Sequence, residues 1–383
     1  MPQGANLYAS ETREKVNLGY LDGLRGILCV LVLIEHCINF YKPDVRFTEL
    51  AGTAGIIRRM VSATPLNIVY NGDMAVYIFF VLSGFVLSLS FNRTRSHSAI
   101  LSGVIKRYPR IMLPVAGSMV FMYVIMWLTD KFIGQAFGAQ LTYFIEQVFY
   151  QIPFTHKPLT NYPLWSMSYE LYGSLLVFAS LAIFGLSRYR LYFYGIMTVY
   201  FFVAEDSTYY ALFIFGIILC DVTKGGRLKF NPLLRAVVFL VGLLLATTPL
   251  PRDGLTPYIG TYSYLKVFDS FTYMQVSVTA GVIGSMLLFA SVVDSKLAIK
   301  ALSTKVIYFL GKISFPLYLT HATVVYVVSF MLHRKYETLG IAEFVLATAI
   351  TVAISIPVAY IFERYVDVPS IRLSNKVSKL LTK

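Results

Sequence analysis

The sequence predicts an all-α protein that crosses a membrane several times as a single bundle of helices. Long apolar stretches recur along the 383 residues, hydrophobic residues make up 57% of the chain and charged residues only 14%. A typical soluble domain carries about 25% charged residues and seldom contains apolar runs of the ~20 residues that a helix needs to cross a bilayer. No internal repeat or linker divides the chain, so we expect one integral membrane domain.

Ten apolar stretches are candidate membrane spans. They cover residues 20–41, 67–91, 111–129, 162–186, 191–204, 207–221, 235–249, 272–293, 306–331 and 341–362. The fifth, sixth and seventh are short, which is typical of tilted or re-entrant helices, so a count of nine to eleven also fits. We expect residues 1–19 to be an N-terminal tail, 20–369 to be the transmembrane domain and 370–383 to be a basic C-terminal tail.

The basic residues predict how the bundle is oriented. Cytoplasmic loops of membrane proteins are enriched in Lys and Arg. If the N-terminus is cytoplasmic, most of the 33 basic residues fall in tails and loops on that side. We therefore expect both termini in the cytoplasm and the protein in the plasma (inner) membrane. The net charge of +13 then indicates contact with anionic membrane lipids rather than with nucleic acid.

The first span contains two ionisable residues, Arg25 and His36, which are costly in an apolar segment and usually functional there. Eleven residues make about three helical turns, so both side chains project from one face, roughly 16 Å apart along the axis. Arg25 is predicted near the cytoplasmic boundary and His36 in the outer half. Glu35 is rotated by ~100° from that face, which favours a structural or acceptor-side role.

Three further ionisable residues, Asp73, Glu170 and His321, fall within the second, fourth and ninth spans at depths near that of His36. A histidine beside a carboxylate suits general base catalysis, because the carboxylate orients the imidazole and stabilises the imidazolium. Structural alternatives remain open. Asp73 would serve equally as the N-cap of its helix, and His321 as the partner of a carbonyl freed by Pro316.

The segment 93–110 is predicted to be a cytoplasmic loop that contains five basic residues and no acid. Arg107 and Arg110 lie three residues apart, directly before the third span. Paired guanidinium groups suit bidentate binding of phosphate oxygens, so a nucleotide-bearing donor from the cytosol is a candidate ligand. Cytoplasmic loops of membrane proteins have the same composition without binding any ligand, and that alternative stays open.

Five sequence blocks resemble the acyltransferase family 3 membrane proteins. In chain order they are Leu21-Asp-Gly-Leu-Arg-Gly with the spacing Arg25-x10-His36, Ile78-Phe-Phe-Val-Leu-Ser-Gly-Phe, Arg107-x-x-Arg110, Leu164-Trp-Ser-Met-Ser-Tyr-Glu, and Leu310-Gly-Lys-Ile-Ser-Phe-Pro-Leu-Tyr-Leu-Thr-His. The chain departs from the family pattern in details. It has Ala75-Val76 where Gly-Val is frequent, Leu171 after Glu170 where a second acid is frequent, and Asp367-Val-Pro369 for Glu-x-Pro.

The resemblance implies an O-acyltransferase, most often an O-acetyltransferase, that moves an acyl group from cytosolic acyl-CoA to a hydroxyl group. Acetyl-CoA or another acyl-CoA is then the co-substrate, and no metal is expected. The residue roles that follow are catalysis for His36, Arg25 and Glu170, acyl-CoA binding for Arg107, Arg110 and Lys312, and substrate binding for Glu35, Asp73, Ser83 and His321. Direct transfer and a covalent acyl intermediate on His36 or Ser83 both remain open.

The acceptor is expected to be a carbohydrate, such as a cell-surface polysaccharide or a lipid-linked glycan, because His36 is placed towards the outside. A small secondary metabolite is the alternative acceptor. A membrane transporter is the rival class of function, but the halves of the sequence show no matching pattern of broken helices. The cysteines, Cys29, Cys37 and Cys220, lie in or beside apolar stretches without C-x-x-C spacing, so the sequence predicts neither disulfides nor a zinc site.

Overall fold

The computed structural model describes residues 19–46, 52–134, 137–157, 160–204, 207–223 and 230–382, and these residues form helices and connecting segments without a β-strand. The all-α prediction is therefore confirmed. The α-helices are α1 (Gly19–Tyr41), α2 (Gly52–Ser62), α3 (Gly72–Thr94), α4 (His97–Ile133), α5 (Leu141–Glu146), α6 (Ile152–Phe154), α7 (Trp165–Phe184), α8 (Arg190–Val203), α9 (Thr208–Val222), α10 (Pro232–Ala246), α11 (Tyr273–Val292), α12 (Lys296–Leu302), α13 (Lys305–Lys312), α14 (Ser314–Lys335), α15 (Ile341–Phe362) and α16 (Val368–Leu381).

Six helical segments of the described residues are long and apolar enough to cross a membrane. They are Gly72–Thr94, His97–Ile133, Tyr162–Phe184, Tyr273–Val292, Ser314–Lys335 and Ile341–Leu381. Helices α8, α9 and α10 are apolar but have only 14 or 15 residues. At 1.5 Å per residue they are about 21–23 Å long, less than the ~30 Å hydrocarbon core. The described residues therefore indicate an integral membrane protein with six candidate spans, and the predicted count of ten is not confirmed.

Helix α1 lies inside the bundle rather than at its edge. It packs against α3, α13 and α14, and the larger part of its 23 residues is buried. The close approach of α13 depends on glycine. A Cβ at Gly26 would lie 2.5 Å from the backbone nitrogen of Gly311, and a Cβ at Gly311 would lie 2.3 Å from the carbonyl oxygen of Asp22. Small residues at such crossings let membrane helices approach closely, and here they bring Arg25 near Lys312.

The structure corrects the predicted loop at 93–110. Arg95 adopts a left-handed conformation (φ 53°) that ends α3, and the side chain of Ser96 accepts a hydrogen bond from the backbone of Ser98. Helix α4 then runs for 37 residues through Pro109 and Pro114. Neighbouring helices stabilise a proline-containing helix in a membrane bundle, so proline and basic residues did not mark a loop here. Arg107 and Arg110 therefore project from a helix.

Two more boundaries differ from the prediction. The ninth apolar stretch is broken at Ile313 into α13 and α14. At the C-terminus, α15 continues through a π-helical turn, Glu363–Asp367, into α16. Helix α16 packs along α4, where the hydroxyls of Ser102 and Ser378 lie 3.0 Å apart. Residues 370–381 of the predicted C-terminal tail are therefore helical and attached to the bundle.

Candidate active site

A cavity of about 490 Å³ lies at the Arg25 end of α1, surrounded by α1, α3, α4, α7, α13, α14 and the α15–α16 segment. Four basic side chains line it, and each is paired with a carboxylate that also lines it. The pairs are Arg25 with Asp22 (2.7 Å), Lys312 with Glu363 (3.4 Å), Arg107 with Glu170, and Arg110 with Asp367. The structure thus brings together the predicted donor-binding cations.

The cations in two of these pairs are far more exposed than their acids. The Lys312 side chain is 52% exposed against 7% for Glu363, and Arg110 is 31% exposed against 6% for Asp367. The buried carboxylates hold the cations in place, while their outer surfaces remain open to an anion such as a phosphate. Glu363 and Asp367 were missed as site residues, because nothing in their sequence positions indicates which cations they meet. Asp22 was missed although it lies three residues before Arg25, the spacing of an ion pair on one helix.

Glu170 belongs to another part of the cavity wall, together with Arg107 and Ser83. Arg107 donates a hydrogen bond to one carboxylate oxygen, and Ser83 Oγ donates to the other over 2.6 Å. Glu170 is thereby bonded to the cavity wall rather than to His36. We expected a carboxylate to orient His36, and Glu170 is not placed to do so.

His321 is the residue that contacts His36. Nδ1 of His36 lies 2.7 Å from Nε2 of His321, and Nδ1 of His321 lies 2.8 Å from the carbonyl oxygen of Leu317. A carbonyl oxygen only accepts, so His321 must carry its proton on Nδ1. With both rings neutral, Nε2 of His321 is then an acceptor and His36 donates from Nδ1. This arrangement leaves the lone pair of His36 on Nε2, where it can take a proton from a substrate.

The cavity reaches the histidine pair by way of Tyr318. Its ring lines the cavity, and the ring centroids of Tyr318 and His321 are 6.0 Å apart. The hydroxyl of Tyr318 is bonded to Ser166 (2.8 Å) and to the carbonyl of Pro163 (2.9 Å). His36 itself is buried and does not line the cavity. A donor in the cavity would therefore need a shift of Tyr318 to bring its acyl end to His36.

At the opposite end of α1, Glu35 belongs to a network of ion pairs. Its Oε1 accepts hydrogen bonds from Arg46 (3.0 Å) and Arg252 (2.7 Å), and Arg252 also bonds Asp73 over 3.0 Å. A second cavity beside this network has a volume of only about 30 Å³, about the volume of one water molecule in the liquid. Burial raises the pKa of Tyr70, which lies beneath the Arg46 guanidinium, to about 12.

Sequence reasoning missed Arg46 and Arg252, because both lie outside the apolar stretches and look like ordinary loop cations. The alternative N-cap role of Asp73 is wrong, since the side chain of Asn71 accepts the hydrogen bond from Met74 instead (2.8 Å). Glu35 and Asp73 thus lie together, as expected for one site, but on the far side of His36 from the large cavity. Among the described residues, no group of three or more potential metal ligands occurs.

Comparison with known proteins gives a consistent result. The family model described as an acyltransferase domain, Acyl_transf_3, matches residues 18–360. O-acetyltransferase PaAT-1 of Phomopsis amygdali is 24% identical, in an alignment that covers 96% of this chain and 86% of that protein. Acyltransferase clz18 of Cochliobolus lunatus is 23% identical, with 91% and 93% covered. No solved structure gives a significant match.

Proposed function

The chain belongs to acyltransferase family 3, and on that premise we propose that it is a membrane O-acetyltransferase that uses acetyl-CoA or a related acyl-CoA. Membership in the family and the named relatives establish an acyltransferase in general terms. The name of the Phomopsis amygdali relative, an O-acetyltransferase, supports acetyl as the group and a hydroxyl as the acceptor.

The observation that carries this proposal is the free Nε2 of His36 beyond a cavity lined by cations. The hydrogen bonds from His36 to His321 and on to Leu317 fix the ring with its lone pair available. Arg25 and His36 are roughly 16 Å apart along α1, a length on the order of an extended pantetheine arm. Once Tyr318 shifts, a donor whose phosphates bind near Arg25 can therefore present its thioester near His36.

We assign the donor phosphates to the exposed faces of Lys312, Arg110 and Arg25. Arg107 is only 18% exposed and is bonded to Glu170, so we assign it to the part of the wall that surrounds the pantetheine arm. Because cytosol supplies acyl-CoA, this assignment places the Arg25 end of the bundle in the cytoplasm, in agreement with the distribution of basic residues. Both termini would then be cytoplasmic and Glu35 would face the other side.

In the proposed reaction, the acceptor hydroxyl gives its proton to Nε2 of His36 while its oxygen attacks the thioester carbonyl carbon. The tetrahedral intermediate collapses, the carbon–sulfur bond breaks, and the acyl group stays on the acceptor oxygen. The CoA sulfur leaves as a thiolate and takes the proton back from the His36 imidazolium. A covalent route through Ser83 would need a base that takes the proton from the Ser83 hydroxyl. That hydroxyl donates a hydrogen bond to Glu170, which makes Glu170 the candidate base and favours testing this route.

Two acceptor classes remain as proposals. A glycan hydroxyl would approach from the Glu35 side, where the Arg252 ion pairs leave room for only a small cavity and would have to separate. A small hydroxylated metabolite is favoured by the aromatic surroundings of His36, where Tyr162 packs against Phe40 and Tyr326. These rings provide an apolar surface suited to a hydrophobic alcohol.

The experiment that tests the function uses purified protein in lipid nanodiscs with acetyl-CoA radiolabelled in the acetyl group. The label should pass to a glycan fraction or to small alcohols extracted into organic solvent, with one CoA thiol released per acetyl group transferred. The fraction that takes the label decides the acceptor class. If neither fraction is labelled and CoA thiol is not released, an O-acetyltransferase is contradicted.

A further inference from the structure

We propose that Tyr162 is a catalytic residue, which donates a hydrogen bond to the carbonyl oxygen of the thioester as that oxygen becomes negatively charged. The inference rests on the proposed acyl transfer at His36 and names a second group for the same step. It starts from one observation: the Tyr162 hydroxyl is buried and has no hydrogen-bond partner among the described residues. Buried hydroxyl groups are almost always paired, so one left unpaired beside a reactive group indicates a missing ligand.

The ring of Tyr162 is held firmly at the histidine. Its centroid lies 4.5 Å from that of His36 in an edge-to-face arrangement, and Phe40 and Tyr326 pack against it at 5.1 Å and 5.7 Å. Tyr162 begins a short 3-10 turn, Tyr162–Leu164. The preceding residue, Asn161, anchors this turn by donating from Nδ2 to the carbonyl of Leu319 over 3.1 Å. The ring of Tyr162 is therefore fixed in position, while its hydroxyl has no hydrogen-bond partner among the described residues.

Several donors near the histidine pair already have partners. The Tyr318 and Ser166 hydroxyls are bonded to each other and to Pro163, and the proton on Nδ1 of His321 points to Leu317. An acyl transfer in a buried site needs a donor for the developing oxyanion, because water is excluded there. Of the two rings that contact His36, those of His321 and Tyr162, only Tyr162 has a proton that no described protein group accepts.

The proposed step balances without another reactant. As the acceptor oxygen bonds to the carbonyl carbon, its proton moves to Nε2 of His36 and the carbonyl π electrons move to the carbonyl oxygen. Tyr162 donates a hydrogen bond to that oxyanion and keeps its proton throughout. When the C=O bond re-forms, the carbon–sulfur bond breaks and the CoA thiolate recovers the proton from His36.

The test is Tyr162→Phe, which removes a single oxygen and leaves the ring contacts intact. Loss of one oxyanion donor typically lowers kcat by about 10²–10³-fold, so we expect a fall of that size with a much smaller change in KM for acetyl-CoA. A buried hydroxyl without a partner stabilises nothing, so the melting temperature should stay constant or rise. If Tyr162 were only structural, Tyr162→Phe would lower the melting temperature and leave the kcat of the folded protein nearly unchanged.

Tyr194→Phe is the matched control, because the Tyr194 hydroxyl in α8 is also buried without a partner but lies on a helix that packs against α9 rather than at the histidines. It should keep wild-type kcat. The assignment of Tyr162 is overturned if Tyr162→Phe keeps kcat within about threefold of wild type, or if its activity falls only in step with its melting temperature.

His36→Ala separates the two proposals. If His36→Ala is inactive and Tyr162→Phe is not, only the tyrosine assignment fails, whereas full activity of His36→Ala overturns the proposed reaction.

Discussion

At the residue scale, the central feature is that a second histidine takes the place expected for a carboxylate. The sequence placed Asp73, Glu170 and His321 at similar depth, but depth within a membrane does not tell which helix faces are adjacent. The structure bonds Glu170 to Arg107 and Asp73 to Arg252. His321 remains as the partner of His36, and its bond to the Leu317 carbonyl fixes the tautomer of both rings.

Substitutions at His321 should separate positioning from packing. His321→Gln can place an amide oxygen where Nε2 accepts from His36, whereas His321→Asn keeps a donor for Leu317 but is too short to reach His36. We expect kcat to fall about 10–100-fold in His321→Asn, the range seen when a residue that orients a metal-bound histidine is removed, and clearly less in His321→Gln. Steady-state kinetics at matched protein amounts measures the difference, and equal kcat values for both variants would refute the orienting role.

Lys312 provides a test of donor binding. The ammonium group of Lys312 is half exposed while Glu363 is buried. Lys312→Ala should therefore mainly lower the affinity for an anionic donor. We expect KM for acetyl-CoA to rise about 10-fold, equivalent to ~1.4 kcal/mol, with kcat little changed. Lys300→Ala, which removes an exposed cation of α12 outside the cavity, serves as the control. A lower kcat without a change in KM would contradict the proposed role of Lys312 in donor binding.

At the element scale, the sequence predicted the helices well, because each of the ten apolar stretches coincides with helical structure. The residues at which helices begin and end were harder to predict. Five basic residues and no acid made 93–110 look like a loop, yet α4 begins at His97 because packing against α7, α14 and α16 supports it. The break between α13 and α14 lay within one apolar stretch and had no clear signal.

The crossing of α1 and α13 should depend on Gly311. A Cβ there meets the backbone of Asp22 and Gly23, which cannot move aside as a flexible side chain can. Gly311→Ala should separate the two helices, lower the melting temperature by several degrees and reduce donor binding. Gly195→Ala is the control, because a Cβ at Gly195 in α8 meets no atom within 4 Å, and alanine there should be neutral or stabilising by up to ~1 kcal/mol. Thermal unfolding in detergent gives the melting temperatures of the two variants. Equal changes in melting temperature would contradict the close contact of α1 and α13 at Gly311.

At the scale of the whole molecule, the sequence predicted a cluster of cations but not its charge balance. Arg110 and Asp367 are far apart in the chain, as are Lys312 and Glu363 in different helices, so only the assembled bundle pairs them. The same holds for Glu35 with Arg252. The two ends of α1 therefore differ in a way that the linear pattern could not show: an open cavity at one end and a closed ion-pair network at the other.

The proposed orientation predicts which side each end faces. Single cysteines at Lys300 and Asp253 sit on exposed positions, and the native cysteines are buried, so they should give little background with a membrane-impermeant maleimide. In sealed, right-side-out vesicles, the cysteine at 253 should react at once and the cysteine at 300 only after permeabilisation. The reverse pattern would place the cation-lined cavity on the outside and remove cytosolic acyl-CoA as the donor.

The most direct measurement of the central claim is the single-turnover release of CoA thiol from acetyl-CoA by wild-type protein and by His36→Ala, with an accepted alcohol present and equal amounts of folded protein. General base catalysis contributes about 10²–10⁴-fold, so the variant should be slower by at least 100-fold while it still binds acetyl-CoA. Thiol release by His36→Ala at a tenth of the wild-type rate or more would contradict His36 as the base.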